Sequence, residues 1–157
     1  MDGNSRDREV NVLHALELNQ IHLSLLEKYP QARWTSSGQV RSQNELTDFG
    51  YAKDYDAVVV LRLESNELRF ALEYERTPKA RRHYDDIAGC LCRERHVGQL
   101  LYLTANYDLL KFVYRSFAGI KHALYFGLVG DWHRLLFDTP VFGSCSSRSL
   151  PFHQVLR

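Results

Sequence analysis

Two runs of strand-forming residues, Asp56-Ala-Val-Val-Val-Leu-Arg-Leu and Leu68-Arg-Phe-Ala-Leu-Glu-Tyr-Glu, are separated only by Glu64-Ser-Asn-Glu67. A polar connection this short demands a β-hairpin. With Ser65 and Asn66 as a two-residue turn, Asp56 lies across from Glu75 and Val58 across from Glu73. The period of two puts Leu68, Phe70, Leu72 and Tyr74 on one side of the second strand and Arg69, Ala71, Glu73 and Glu75 on the other. Three carboxylates, Asp56, Glu73 and Glu75, are thereby expected on one face. A turn longer by one residue would send the opposing residue to the wrong side.

Acids this close repel one another, so the arrangement calls for a cation, a proton or a basic partner. A hard divalent ion, Mg²⁺ or Mn²⁺, suits all-oxygen ligands best, with Asp56, Glu73 and Glu75 as the metal ligands and the Tyr74 carbonyl as a further donor. The competing reading is a wet sheet face carrying scattered acids.

At 157 residues, 45 % hydrophobic and 25 % charged, the chain has the size and composition of one globular domain. Twenty basic against 19 acidic residues give a net charge of +1, so any nucleic-acid surface must come from local clustering. Cys90, Cys92 and Cys145 are odd in number and the first residues form no apolar signal segment, which points to a reducing, cytoplasmic setting without disulfides. No run is long enough to span a membrane. Cys90 and Cys92 fall in an expected helix and read as two buried thiols rather than a zinc site. The seven histidines, among them His14 and His83, show no metal-ligand spacing.

Along the chain, residues 8 to 28 carry apolar positions at helical spacing and end before Tyr29-Pro30. Trp34 to Arg41 reads as weak strand or loop, and Ser42 to Asp54 as a polar connection. Thr77-Pro78 reads as an N-cap followed by proline at the first helical position, opening a helix through about Arg95. Gln99 to Ala105 is of strand type, Asp108 to Phe117 has helical spacing, and Ala123 to Val129 is a buried strand. From Asp131 onward an edge strand or hairpin is expected, then a loop from Gly143. The outcome is an α/β chain with a mixed central sheet flanked by helices, in the order α-β-β-β-α-β-α-β. It forms a single domain over 1–157, with its core at about 8–137 and a C-terminal tail, 138–157, without an assigned element.

An Asp, sixteen intervening residues and Glu73-Tyr74-Glu75 resemble the restriction-endonuclease-like, PD-(D/E)XK motif, with Glu75 where that motif expects lysine. His14-Ala-Leu-Glu-Leu-Asn19, Tyr55-Asp56-Ala57, and Leu72-Glu-Tyr-Glu-Arg-Thr77 followed by a basic helix with Tyr84 are similar to the replication-relaxation family of plasmid and mobile-element proteins. That family is related to mobilisation relaxases that use an Asp-Glu-Glu-Lys set. The resemblance covers roughly residues 10 to 118. It implies a metal-dependent endonuclease or nickase acting on plasmid DNA, with Asp56, Glu73, Glu75 and a displaced lysine, Lys79 first and Lys53 second, as catalytic residues. It also implies relaxosome partners and a homodimer.

On this reading Glu75 binds the metal or accepts a proton from water, and Glu17 or Glu27 is a candidate fourth acid. Arg76, Lys79, Arg81 and Arg82 cluster at a helix start, where positive side chains oppose the helix dipole and an anion relieves them. With Tyr84 they form the expected phosphate contacts of DNA. The alternative is a solvated helix end whose arginines pair with Asp85, Asp86 or the glutamates. A second class of function also stands: a non-catalytic DNA-binding or relaxosome accessory protein that keeps the nuclease-like fold.

Overall fold

The computed structural model describes residues 3–63, 66–144, 146 and 148–156, with side chains of the first helix described from residue 12. In chain order the elements are α1 (Gly3–Lys28), β1 (Arg33–Ser36), α2 (Ser37–Leu46), β2 (Ala57–Leu63), β3 (Asn66–Glu75), α3 (Arg81–Leu91) and β4 (Gln99–Thr104). They continue with α4 (Tyr107–Ser116), β5 (Ala123–Leu128), α5 (Val129–Leu135), β6 (Pro140–Gly143) and β7 (Ser149–Pro151), with short 3-10 turns at Leu136–Asp138 and Phe152–Gln154.

All seven strands form one mixed sheet in sequence order. The β3–β4 and β4–β5 pairs are parallel, joined by the crossover helices α3 and α4, and every other pair is antiparallel. Helices cover both faces. On one, Ile21 and Leu25 of α1 and Trp132 of α5 pack on Ala57, Val59, Phe70, Leu72 and Leu101. On the other, Val40 of α2, Tyr84 and Ile87 of α3, and Leu109 and Val113 of α4 pack on Val58, Ala71, Leu100 and Phe126. The alternating residues of β2 and β3 are thus split between two cores, as a sheet buried on both faces requires.

The hairpin forms, but two residues away from the expected register. Leu63 faces Asn66 and Val58 faces Ala71, so the connection falls on residues 64 and 65, which lie outside the described residues. Charge pairing explains the choice. The expected register would set Arg62 against Arg69, whereas the observed one sets Arg62 against Glu67, with Nε to Oε2 at 3.0 Å, and Arg69 reaches the same carboxylate at 3.0 Å. A shift of two keeps every side chain on its expected face, and only the partners change.

Other elements depart from expectation for local reasons. The helix after the hairpin starts at Arg81 with Ala80 as N-cap, not at Thr77-Pro78, because the Lys79 N–H is held by the Tyr84 hydroxyl (3.0 Å) ahead of the first turn. It ends at Leu91 rather than Arg95, since Glu94 accepts the backbone N–H groups of Arg95, His96 and Val97 and turns the chain toward β4. Cys90 is therefore half-buried and Cys92 exposed at the helix end, against the expectation of two buried thiols, and Cys145 lies outside the described residues.

Residues 37–46 form a helix where loop was expected, with Ser36 and Gln39 closing a capping box. Of the stretch from Asp131 expected as an edge strand or hairpin, residues 131–138 are helical, with Val129 and Gly130 joining them, and Pro140–Gly143 forms the strand β6. Val129, Trp132 and Leu136 recur at helical spacing, and the buried Trp132 indole donates to the Ile21 carbonyl (3.3 Å). The tail adds β6 and β7 to the sheet and buries Phe152 against Phe70 and Phe137. Among the described residues no helix is long and apolar enough to cross a membrane.

Candidate functional site

The acids gather at the end of the sheet where β2 begins and β3 finishes. Asp56 precedes β2 by one residue, and its Oδ2 accepts the Tyr74 N–H (2.8 Å), which fixes the carboxylate beside β3. Its Oδ1 meets Nε2 of His14 on α1 at 3.2 Å. Burial pushes the Asp56 carboxyl upward, but the His14 hydrogen bond and charge, helped by the Tyr74 N–H, leave it below the usual carboxylate range. The same hydrogen bond outweighs burial at His14 and holds its imidazole above its ordinary pKa.

Glu73 is almost wholly buried, at 5 % exposure, and its Oε1 is in direct ion-pair contact with the Lys53 ammonium. Burial raises its pKa to about 7, with Lys53 pulling the other way. Lys53 is set by the loop before β2. The Tyr55 hydroxyl donates to Glu94 (2.8 Å), which also accepts the Ala52 N–H (2.9 Å), and the Lys53 ammonium rests 4.9 Å from the centre of the Tyr55 ring.

Glu75 sits apart from this pair in its contacts. It is 1 % exposed, and its two oxygens accept the hydroxyls of Tyr84 (3.0 Å) and Tyr102 (2.5 Å), with the Lys79 ammonium 4.0 Å away. Tyr84, expected at a DNA phosphate, is fully buried and its hydroxyl bridges Glu75 and the Lys79 N–H. Its phenol is pushed up to about 12 by burial.

A pocket of about 200 Å³ opens over this sheet end, lined by His14, Asp56, Tyr74, Glu75, Arg76, Thr77 and Lys79. Arg76 and Lys79 thus border the acids. Arg81 and Arg82 are exposed in the first turn of α3, where Arg81 pairs with Asp85 at 3.7 Å. Of the candidate fourth acids, Glu17 is bound to His133 of α5 (2.7 Å), and Glu27 lines a separate depression with Gln20, Leu23, Ser24 and His133.

Among the described residues, no three His, Cys, Asp or Glu side chains stand together as a ready metal cluster. The donor set nonetheless fits a hard cation in part: Asp56 and Glu73 are close enough to feel each other's charge, although Asp56 lines the pocket and Glu73 is buried against the Lys53 ammonium. Glu75 fits poorly, because turning it outward would strand two buried hydroxyls.

His14, without metal-ligand spacing in the sequence, joins the site as the partner of Asp56. Its signal was present in the stripe His14, Leu18, Ile21, Leu25, one residue in each turn, whose apolar members face the sheet and whose first ring meets Asp56 and Tyr74. Glu94 and Tyr102 carried no local signal, since each acts through residues distant in sequence.

The His14–Asp56 pair sets a pH window for stability. Asp56, with its pKa depressed, contributes above the unfolded value of 3.8 and loses that contribution as pH falls through its folded value. His14, with its pKa raised, contributes below 6.5 and loses that contribution as pH rises through its folded value. Urea melts of the protein and of His14→Gln are therefore expected to differ most, by about 1 kcal/mol, near pH 5. The difference should shrink toward both acid and alkaline ends, and a gap independent of pH would show that His14 contributes by packing alone.

Comparison with family models, with curated proteins and with solved structures finds no match for this chain.

Proposed function

We propose that this protein is a metal-dependent DNA phosphodiesterase of the restriction-endonuclease-like kind, a nickase or relaxase-like enzyme of plasmid or mobile-element DNA belonging with the replication-relaxation proteins. The observation that carries the reading is the convergence of Asp56, Glu73 and Lys53 at one sheet end, beside a pocket bordered by Arg76 and Lys79. Two acids and a lysine at one strand end are what phosphodiester cleavage asks for, even though the lysine comes from the loop before β2 and not from the position that Glu75 occupies.

Asp56 and Glu73 would hold Mg²⁺ or Mn²⁺, which when bound supplies Lewis-acid stabilisation and an acidified water. Arg76 and Lys79 bind and orient the phosphate from the pocket wall. Lys53 opposes the effect of burial on Glu73 and favours its ionised form, and its ammonium would stabilise negative charge on a phosphate brought beside it. His14 fixes the Asp56 carboxylate, and Glu75 anchors the segment that carries Lys79 through Tyr84.

Relaxation of supercoiled plasmid into the nicked form in the presence of Mn²⁺ or Mg²⁺, and none in EDTA, is the expected result. Asp56→Ala and Glu73→Ala should each lower the rate by about three orders of magnitude while circular dichroism stays native. Cleavage that survives both substitutions would sink the proposal.

One observation favours the accessory reading as the alternative: Glu73 is paired with Lys53, and Asp56 with His14, so each acid has a basic side chain as its partner. A thermal melt separates the two, because a cation that binds only the folded protein must raise the melting temperature. No rise with millimolar Mn²⁺, together with DNA binding unaffected by Asp56→Ala, would favour the non-catalytic role.

A further inference from the structure

The helix α4 carries a face that the site described above does not use. Tyr107, Lys111, Tyr114 and Arg115 recur at helical spacing, and with Leu110 and Phe142 of β6 they line a pocket of about 260 Å³. Tyr107 is 54 % exposed, and the Lys111 ammonium lies 4.8 Å from the centre of its ring. Tyr114 is half-buried, braced edge-on by Phe126 at 5.6 Å. Among the described residues no acid lines the pocket. The neighbouring Asp108 reaches Lys111 at 3.3 Å but is itself 94 % exposed, and Arg115 has no ion pair among the described residues. Exposed aromatic rings interleaved with cations suit a ligand that is both flat and anionic.

The placement of this face ties it to the acids. Because β3 and β4 are parallel, the chain leaves β4 at the sheet end where Glu75 lies, and the Ala105 N–H donates to the Glu75 carbonyl (3.0 Å). Tyr107 follows two residues later as the first residue of α4, with Asn106 capping the helix.

We propose that the Tyr107–Lys111–Tyr114–Arg115 face is a stacking subsite for an unpaired base of single-stranded nucleic acid, with Lys111 and Arg115 on the adjoining phosphates. A base offers a π-face to Tyr107 whatever its identity, so the subsite selects single strands over duplex without reading sequence. It rests on the phosphodiesterase reading only for where the strand leads: the face begins two residues beyond Ala105, beside Glu75 and the pocket that Glu75 lines with Asp56.

The test uses the full chain in EDTA, so that no cleavage enters, and fluorescence anisotropy of a short labelled oligothymidylate. Binding tighter than to duplex of the same length is expected. Tyr107→Ala should weaken it about tenfold with an unchanged melting temperature, since the ring is largely exposed, while Tyr107→Phe keeps the ring and the affinity. Lys111→Gln should reduce the slope of log affinity against log salt by about 0.7. An abasic oligonucleotide that binds as well as oligothymidylate, or Tyr107→Ala that binds as well as the parent, overturns the proposal, as does the absence of any binding. Metal-dependent nicking without ring-dependent binding overturns this inference alone. Ring-dependent binding without nicking leaves it standing and overturns the enzymatic reading.

Discussion

Glu75→Ala is expected to lower the unfolding free energy by about 3–5 kcal/mol, a large share of what a domain of this size has in reserve. The carboxylate is 1 % exposed and takes a hydrogen bond from Tyr84 on one oxygen and from Tyr102 on the other, and both phenols are fully buried. Alanine leaves the hydroxyls of Tyr84 and Tyr102 without the acceptor they share, at about 1–3 kcal/mol each, with Tyr84 keeping only the Lys79 N–H, and leaves a cavity besides. The melting temperature should fall by roughly 10 °C. Glu75→Gln keeps the volume and one acceptor, so its cost should be far smaller, near 1 kcal/mol. Urea melts of the two variants beside Tyr84→Phe and Tyr102→Phe measure this directly. If Glu75→Ala costs under about 1 kcal/mol, the carboxylate does not anchor the tyrosines, and its assignment as a metal ligand regains weight.

That prediction runs against the most direct inference from sequence, and the reason is physical. Alternation along β3 correctly places Glu73 and Glu75 on the same face, because side-chain direction in a strand is fixed by parity. What parity cannot supply is the partner. Tyr102 reaches Glu75 from the parallel neighbour β4, and Tyr84 from the crossover helix α3, contacts set by tertiary packing.

The hairpin shows the same division at the level of register. Its two strands and their faces were legible, but the two-residue slip depended on Glu67 choosing Arg62 across the ladder. The C-terminal region was the least legible part. Trp132 and Phe152 were visible as large apolar residues, yet only α1 docking on the sheet creates the core into which they fold. Lys53 lay in a segment whose polar composition reads as loop, and loop it is. Its importance comes from Tyr55 and Glu94 clamping that loop against the sheet.

Lys53→Met is the second substitution expected to act strongly, and it separates two roles for the lysine. With its ammonium in place, buried Glu73 titrates at about 7. Removing the ammonium takes away the positive group that, among the described residues, is in direct contact with Glu73, and moves that titration further up. The sign for stability follows. Between the unfolded value of 4.5 and the folded value, the native state holds a proton that the unfolded chain has released, so unfolding free energy falls as pH rises. Lys53→Met should therefore be close to the parent in stability near pH 5 and increasingly less stable above pH 7, by about 3 kcal/mol where Glu73 is forced to ionise unpaired. On the proposed metal-dependent cleavage, metal retention would need the ionised carboxylate, so nicking at pH 7 should fall by about two orders of magnitude. The shape of the pH profile assigns the role. If Lys53 only keeps Glu73 charged, the rate recovers as pH is raised and the profile moves to the alkaline side. If its ammonium also stabilises charge on the phosphate, the deficit persists at every pH, because no degree of Glu73 ionisation replaces that contact.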